Sequence, residues 1–170
     1  VMGKDAIDLA ATDLRRLVSE SVTEKLPLVG ADGYFALVQQ ASRISDEYSI
    51  PVESVTHLLN RYGSLISEIL ELIASDKKLA QPLYQGLPYL KAEIVYAVTH
   101  EGAMSVDDVI SRRTRLAFEA REHGVHLADE VASLIAPVLG WSAKDKKDSV
   151  AAYKNQVAAE VEALNALINF

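Results

Sequence analysis

Apolar residues at helical spacing, repeatedly interrupted by glycine, constrain the fold of this chain more than any other feature. Between stops at Gly63, Gly102, Gly124 and Gly140, the apolar positions recur three and four residues apart. No stretch alternates with the period of two that a half-buried strand requires. The pattern predicts an all-α protein, a compact multi-helix bundle that ends in a long helix starting at Ser142.

The same spacing predicts eight helices, which start near Lys4, Asp32, Pro51, Ser64, Leu90, Ser105, Leu127 and Ser142. In the second helix, four apolar residues share one face: Phe35, Val38, Ala41 and Ile44. The helix from Ser105 is expected to run through Phe118 to Gly124, and Ser105 with Asp108 resembles a capping box. Pro137 falls inside a predicted helix and should weaken its final turn.

Composition excludes several classes of protein. Hydrophobic residues make up 49% of the 170 residues, which is too many for a disordered chain. Without cysteine, the chain has no disulfide scaffold and no thiolate site for a metal. The net charge of −7 disfavours general binding to nucleic acid, and no apolar run is long enough to insert into a membrane. We therefore expect neither a nucleic-acid partner nor membrane insertion.

Three polar residues at helical spacing form a candidate stripe. Glu93, Tyr96 and His100 are three and four residues apart, so they share one face of a helix. General acid–base chemistry is one use for such a stripe. A solvated or interdomain face is the commoner use, and it is the one that we expect here.

The chain has one basic cluster, Arg112, Arg113 and Arg115. We expect salt bridges within the domain, including an inward pair with Glu101 or Glu93. Docking onto another domain is the alternative, whereas contact with phosphate or nucleic acid fits poorly with the net acidity.

Two histidine motifs invite comparison with metal sites. His100-Glu101 begins like the HExxH motif of zinc proteases, but position 104 is Met104 and supplies no second ligand. His123 and His126 are three residues apart, but a glycine lies between them and no third ligand is implied. No metal-binding residue is predicted.

The last helix carries an apolar stripe from Val150 to Ile168. The stripe is narrow and flanked by alanines, so packing within the chain is favoured over a seam between copies.

Several short motifs occur in a fixed order: RYGS at 61–64, LKAEIVY at 90–96, HE at 100–101, VDDVI at 106–110, RRTR at 112–115 and APVLGW at 136–141. Together they resemble the C-terminal helical domain of FAD-dependent, quinone-linked glycerol-3-phosphate dehydrogenases. The resemblance implies that the chain is a fragment of a larger flavoprotein. Residues 1–20 would be the trailing helix of the missing flavin domain, 21–32 a linker, and 33–170 the C-terminal helical domain.

The resemblance also implies what the parent enzyme does. It would use FAD to oxidise glycerol 3-phosphate to dihydroxyacetone phosphate and pass the electrons to quinone. None of the eight glycines forms the GxGxxG pattern of a dinucleotide site, so no catalytic or cofactor-binding residue is expected on this fragment, which alone would be inactive.

The expected role is to stabilise or cover the flavin domain of the same chain and to assist dimerisation. The contacts with that domain are expected to come from Glu93, Tyr96, His100, Glu101, Arg112, Arg113 and Arg115. The parent would be cytoplasmic or peripheral on a membrane. The alternative is a free-standing helical interaction module of helix-turn-helix type, supported by the turn before the arginine-bearing segment. A hydrolase with its own carboxylate site is a weaker third hypothesis.

Overall fold

The computed structural model describes residues 2–14 and 18–168, with the side chain of Ile168 excepted. These residues form nine α-helices, and no strand occurs in this part of the chain. The helices are α1 Met2–Ala11, α2 Tyr34–Gln39, α3 Ala41–Tyr48, α4 Val52–Tyr62, α5 Ile66–Ser75, α6 Lys91–Thr99, α7 Leu116–Glu119, α8 Ala128–Leu139 and α9 Ala143–Ile168. The predicted all-α bundle with a long C-terminal helix is confirmed.

Two hydrophobic clusters build the core, and α6 belongs to both. The first cluster joins α3, α4 and α5 to Leu90, Ala92 and Tyr96. The second cluster joins Ile94 and Ala97 to α8, α9 and the segment between α6 and α7. Because buried residues of α6 belong to both clusters, this helix fixes the two halves of the bundle to each other. Its remaining face is half-buried at Lys91, Val95 and Val98.

The first predicted helix is shorter than expected. α1 ends at Ala11 instead of continuing to residue 20, and every described residue from 2 to 29 is exposed except Ala11. Leu17, which falls within the predicted trailing helix of residues 1–20, lies outside the described residues.

The second predicted helix is broken at Gln40 into α2 and α3, and only part of its expected apolar face reaches the core. Ile44 is buried, but Phe35 and Val38 are exposed. Helical spacing locates a stripe on a helix without specifying which neighbour covers it, so it does not decide which members of the shared face are buried.

The helix predicted from Ser105 to Gly124 is also wrong. A π-helix spans Asp108–Arg113, and Thr114 leaves it in an extended conformation. The Thr114 hydroxyl donates to the carbonyl of Val109 at 2.7 Å, an example of a side chain that competes with the helical hydrogen bonds. The Ser105 hydroxyl accepts from the Asp108 N–H as predicted, but the Asp108 carboxylate accepts from Met104 instead of closing the capping box.

Candidate functional site

A buried carboxylate joins α4 to α6. Glu93 is fully buried, and its Oε1 accepts from the N–H of Leu90 at 2.9 Å at the start of α6. Its Oε2 lies 2.9 Å from Nε2 of His57 and accepts from the Tyr62 hydroxyl at 3.3 Å. A buried charge is tolerated only when hydrogen bonds compensate for lost water, and these partners come from two different elements. Glu93 therefore holds the two helices in register.

Tyrosine rings extend this network along α6. The rings of Tyr62 and Tyr96 meet edge to face at 5.3 Å, and the Tyr96 hydroxyl donates to Glu68 at 2.6 Å. His100 stacks on Tyr96 at 4.4 Å near the surface. Burial raises the pKa of both tyrosine hydroxyls, so both stay protonated and act as donors at neutral pH.

The stripe of Glu93, Tyr96 and His100 is therefore not a solvated face. Glu93 and Tyr96 are buried inside the domain, whereas His100 is exposed at the end of α6. The sequence could not indicate this, because helical spacing places three residues on one face and leaves open what packs on it. Glu93 is fully buried and hydrogen-bonded to His57, Tyr62 and Leu90, so the structure gives it a structural role instead of one in acid–base chemistry.

Two arginines, Arg61 and Arg113, lie close to Glu101 and form a second polar network. Arg113 donates from Nε to the carbonyl oxygen of Glu101 at 2.7 Å, and Arg61 donates to the carbonyl oxygen of Arg113 and to the Tyr62 hydroxyl. Burial raises the pKa of Glu101, although Arg61 and Arg113 oppose that shift. One carboxylate oxygen, Oε2, is buried without a hydrogen-bond partner. The expected inward contact of an arginine is present, but it reaches the backbone of Glu101 and not its carboxylate.

The other two arginines of the basic cluster pair with acids nearby in sequence. Arg112 pairs with Asp107 and with Asp108, and Arg115 lies 3.7 Å from Glu119. Both arginine side chains remain more than half exposed. These ion pairs are the salt bridges within the domain that the sequence analysis expected. Docking contacts from His100, Glu101 and the three arginines to another domain stay a prediction.

Several partners in the network were missed by the sequence analysis. His57, Glu68 and Arg61 had been given no role, and of these only Arg61 lay in a recognised motif. The one available signal was Glu93 at the third position of a predicted helix, where a carboxylate reaches back to the N-cap N–H.

In the RYGS motif, the backbone of Gly63 packs directly against the backbone of Gly30, and this close contact requires glycine at position 63. Gly30 and Gly63 both have positive φ, and Ser64 donates from N–H to the Gly30 carbonyl at 2.8 Å. A β-carbon on Gly63 would collide with the Gly30 carbonyl oxygen, and one on Gly30 would lie 2.5 Å from the Tyr62 carbonyl oxygen. This contact fixes the segment before α2 onto the end of α4.

The described residues do not fit a flavin. The pyrophosphate of FAD is held where a strand turns through glycines into a helix, and here the only extended pairing within the described ranges is the isolated bridge between Pro82 and Leu90. No three histidine or acidic side chains among the described residues are grouped to hold a metal ion. Of the helices described, none combines the length and the apolarity needed to cross a membrane.

Comparison with known proteins gives a consistent family. The family model for the C-terminal domain of alpha-glycerophosphate oxidase matches residues 21–146. The glycerol-3-phosphate dehydrogenase 2 of Mycobacterium tuberculosis is 47% identical over 161 residues, which is 95% of this chain and 28% of that protein. The glycerol-3-phosphate dehydrogenase of Mycobacterium leprae is 45% identical over the same shares.

A more distant relative, a probable mitochondrial glycerol-3-phosphate dehydrogenase of Dictyostelium discoideum, is 30% identical over 76% of this chain and 20% of its own length. The chain thus spans little more than a quarter of the length of the mycobacterial relatives. No solved structure matches it significantly.

Proposed function

The chain belongs to the family of the C-terminal domain of alpha-glycerophosphate oxidase, and from that premise we propose that it is the accessory helical domain of an FAD-dependent glycerol-3-phosphate dehydrogenase. One observation carries this proposal: the match to the mycobacterial dehydrogenases covers 95% of this chain but only 28% of the length of those proteins. The remaining part of such an enzyme is where a flavin site would lie.

The role that we propose for the domain is support. The three arginines of the basic cluster form contacts within the domain, and the buried carboxyl group of Glu93 links α4 to α6. The reaction itself, oxidation of glycerol 3-phosphate to dihydroxyacetone phosphate with electrons passing to quinone, would take place in the rest of the parent chain, where FAD accepts the electrons. We place the parent in the cytoplasm or at the surface of the membrane that holds the quinone.

The proposed division of the chain follows the exposure of its first residues. In α1 no side chain is buried, which is consistent with residues 1–20 as the trailing helix of a flavin domain. Residues 21–32 form the linker and 33–170 the helical domain. Gly30 already contacts the end of α4, so the linker is anchored at its C-terminal end.

Dimerisation is the second part of the proposed role. The apolar stripe of α9 divides at its midpoint: Val150, Tyr153 and Val157 are buried, whereas Val161 and Leu164 are exposed. The buried half serves the domain core. The exposed half is available to a second copy in the parent.

Visible absorption spectroscopy of the complete parent tests the proposal. We expect a flavin spectrum that bleaches when glycerol 3-phosphate is added without oxygen, and a colourless, inert protein when the 170-residue chain is treated in the same way. A colourless parent, or a flavin that ignores the substrate, would refute the assignment.

A further inference from the structure

Four apolar side chains around the start of α2 are exposed in the folded domain. The exposed fractions are 82% for Leu28, 86% for Val29, 80% for Phe35 and 43% for Val38. We call these four residues the α2 patch. Two consecutive turns fold residues 28–34 into a compact stretch: Ala31 donates from N–H to the Leu28 carbonyl oxygen at 3.0 Å, and Tyr34 donates to the Ala31 carbonyl oxygen at 3.3 Å. Exposed apolar side chains grouped on such a stretch mark an interaction site more often than single exposed residues do.

The α2 patch is held on a fixed support. On one side, Ser64 donates from N–H to the Gly30 carbonyl oxygen at 2.8 Å. On the other side, the Tyr34 hydroxyl donates to Oδ1 of Asn60 at 2.9 Å. Both partners lie at the end of α4 or just after it. The patch is therefore presented by the domain in a defined position, which is how a docking surface limits the entropy cost of binding.

The surroundings of the patch indicate a protein partner. In residues 2–29, four basic residues are set against five acidic ones: Lys4, Arg15, Arg16 and Lys25, with Asp5, Asp8, Asp13, Glu20 and Glu24. Segments that bind a lipid surface combine their apolar face with an excess of basic residues, which is absent here. Within 26–39 the only charged residue is Asp32.

We propose that the α2 patch docks onto the part of the parent chain that lies outside this domain. The inference rests on the proposed function, because it takes this chain to be part of a longer enzyme. The mycobacterial relatives are such enzymes, and the chain matches 28% of their length. The exposure of nearly every described residue from 2 to 29 supports this partner. That stretch leads directly into the patch and is not packed against the domain, so it is available to pack against another part of the same chain. The partner surface is accordingly apolar and belongs to the same polypeptide.

Photo-crosslinking in the complete parent tests the docking surface. A p-benzoylphenylalanine is placed at Phe35 and, as a matched control, at Phe118, an equally exposed phenylalanine on α7. We expect residue 35 to crosslink to a peptide of the same chain outside residues 1–170, and residue 118 not to do so. The proposal is overturned if residue 35 crosslinks to a second copy, to added phosphatidylcholine–phosphatidylglycerol vesicles, only within residues 1–170, or not at all.

A thermal measurement supplies a second test. In the parent, the double substitution Leu28→Ser with Phe35→Ser should lower the unfolding temperature, whereas Phe118→Ser should leave it unchanged. An unchanged unfolding temperature for the double variant would contradict the proposal. Neither readout uses flavin or substrate, so failure of the docking surface and failure of the dehydrogenase assignment can be told apart.

Discussion

Glu93 is a buried carboxyl group between α4 and α6, and its hydrogen-bond partners come from both helices: His57 and Tyr62 on α4, and the N–H of Leu90 at the start of α6. Replacing Glu93 with alanine would leave His57, Tyr62 and the N–H of Leu90 without their partner in the core. We expect Glu93→Ala to lower the free energy of unfolding by about 3–5 kcal/mol, measured by urea denaturation. The control is Glu160→Ala at an exposed position of α9, with a change below about 0.5 kcal/mol. Equal effects would contradict the role assigned to Glu93.

Gly63 has a conformation and a neighbour that exclude a side chain. Its φ of +59° is unfavourable for other residues, and a β-carbon would strike the Gly30 carbonyl oxygen. We expect Gly63→Ala to cost about 3 kcal/mol of unfolding free energy. Gly140→Ala is the matched control, because Gly140 also has positive φ but has open space around its β-carbon position, and it should cost only about 1 kcal/mol. Similar losses at both positions would mean that the close approach to Gly30 does not form.

Glu101 predicts a pH dependence of stability. Burial raises its pKa in the folded state, so the folded protein favours the protonated form and loses stability as the pH rises through that raised value. Glu101→Gln removes the titration. The unfolding temperature of the variant should therefore exceed that of the unmodified chain at pH 7, with a smaller difference at pH 4, in thermal unfolding at both values. A difference that grows toward pH 4 would show the opposite sign of shift.

At the scale of elements, the two halves of α9 differ in burial and can be compared with each other. Tyr153 is buried and donates its hydroxyl proton to the carbonyl of His123, whereas Leu167 on the same helix is exposed. We expect Tyr153→Ala to cost about 3–5 kcal/mol of unfolding free energy. Leu167→Ala should change it by less than about 0.5 kcal/mol. Urea denaturation of both variants measures this, and a large loss for Leu167→Ala would indicate that the distal half of α9 is packed.

The sequence predicted elements better than it predicted their neighbours. α4, α5, α6 and α8 occur where apolar spacing placed them, and Pro137 lies inside α8 as expected. The prediction of one continuous helix after Ser105 was wrong because the Thr114 hydroxyl donates to a backbone carbonyl. Apolar periodicity gives no information about such a side-chain hydrogen bond.

The polar network was less predictable than the helices. Glu93 meets His57 from 36 residues away in sequence, and no local pattern specifies such a pairing. The exposure of Phe35 was unpredictable for the same reason, because an apolar residue at helical spacing is equally suited to a core and to an interface. The recognised motifs gave the family correctly, but they carried no information about which side chains touch.

At the scale of the whole molecule, we propose that the domain supports a longer enzyme. The family match covers residues 21–146, and the chain spans 28% of the length of its mycobacterial relatives. The polar residues of the candidate stripe are divided between the core and the surface. We therefore expect this domain to influence the stability of the parent and not its oxidation of substrate.

The most direct test is the anaerobic rate of flavin reduction by glycerol 3-phosphate in the complete parent, compared with the parent carrying His100→Ala. His100 is the one exposed member of the stripe, so its removal should leave the fold intact. The account predicts equal rates at equal flavin content. A general acid or base contributes about 10²- to 10⁴-fold, so a loss of that size with the flavin still bound would contradict the claim that this domain supports the enzyme without taking part in its chemistry.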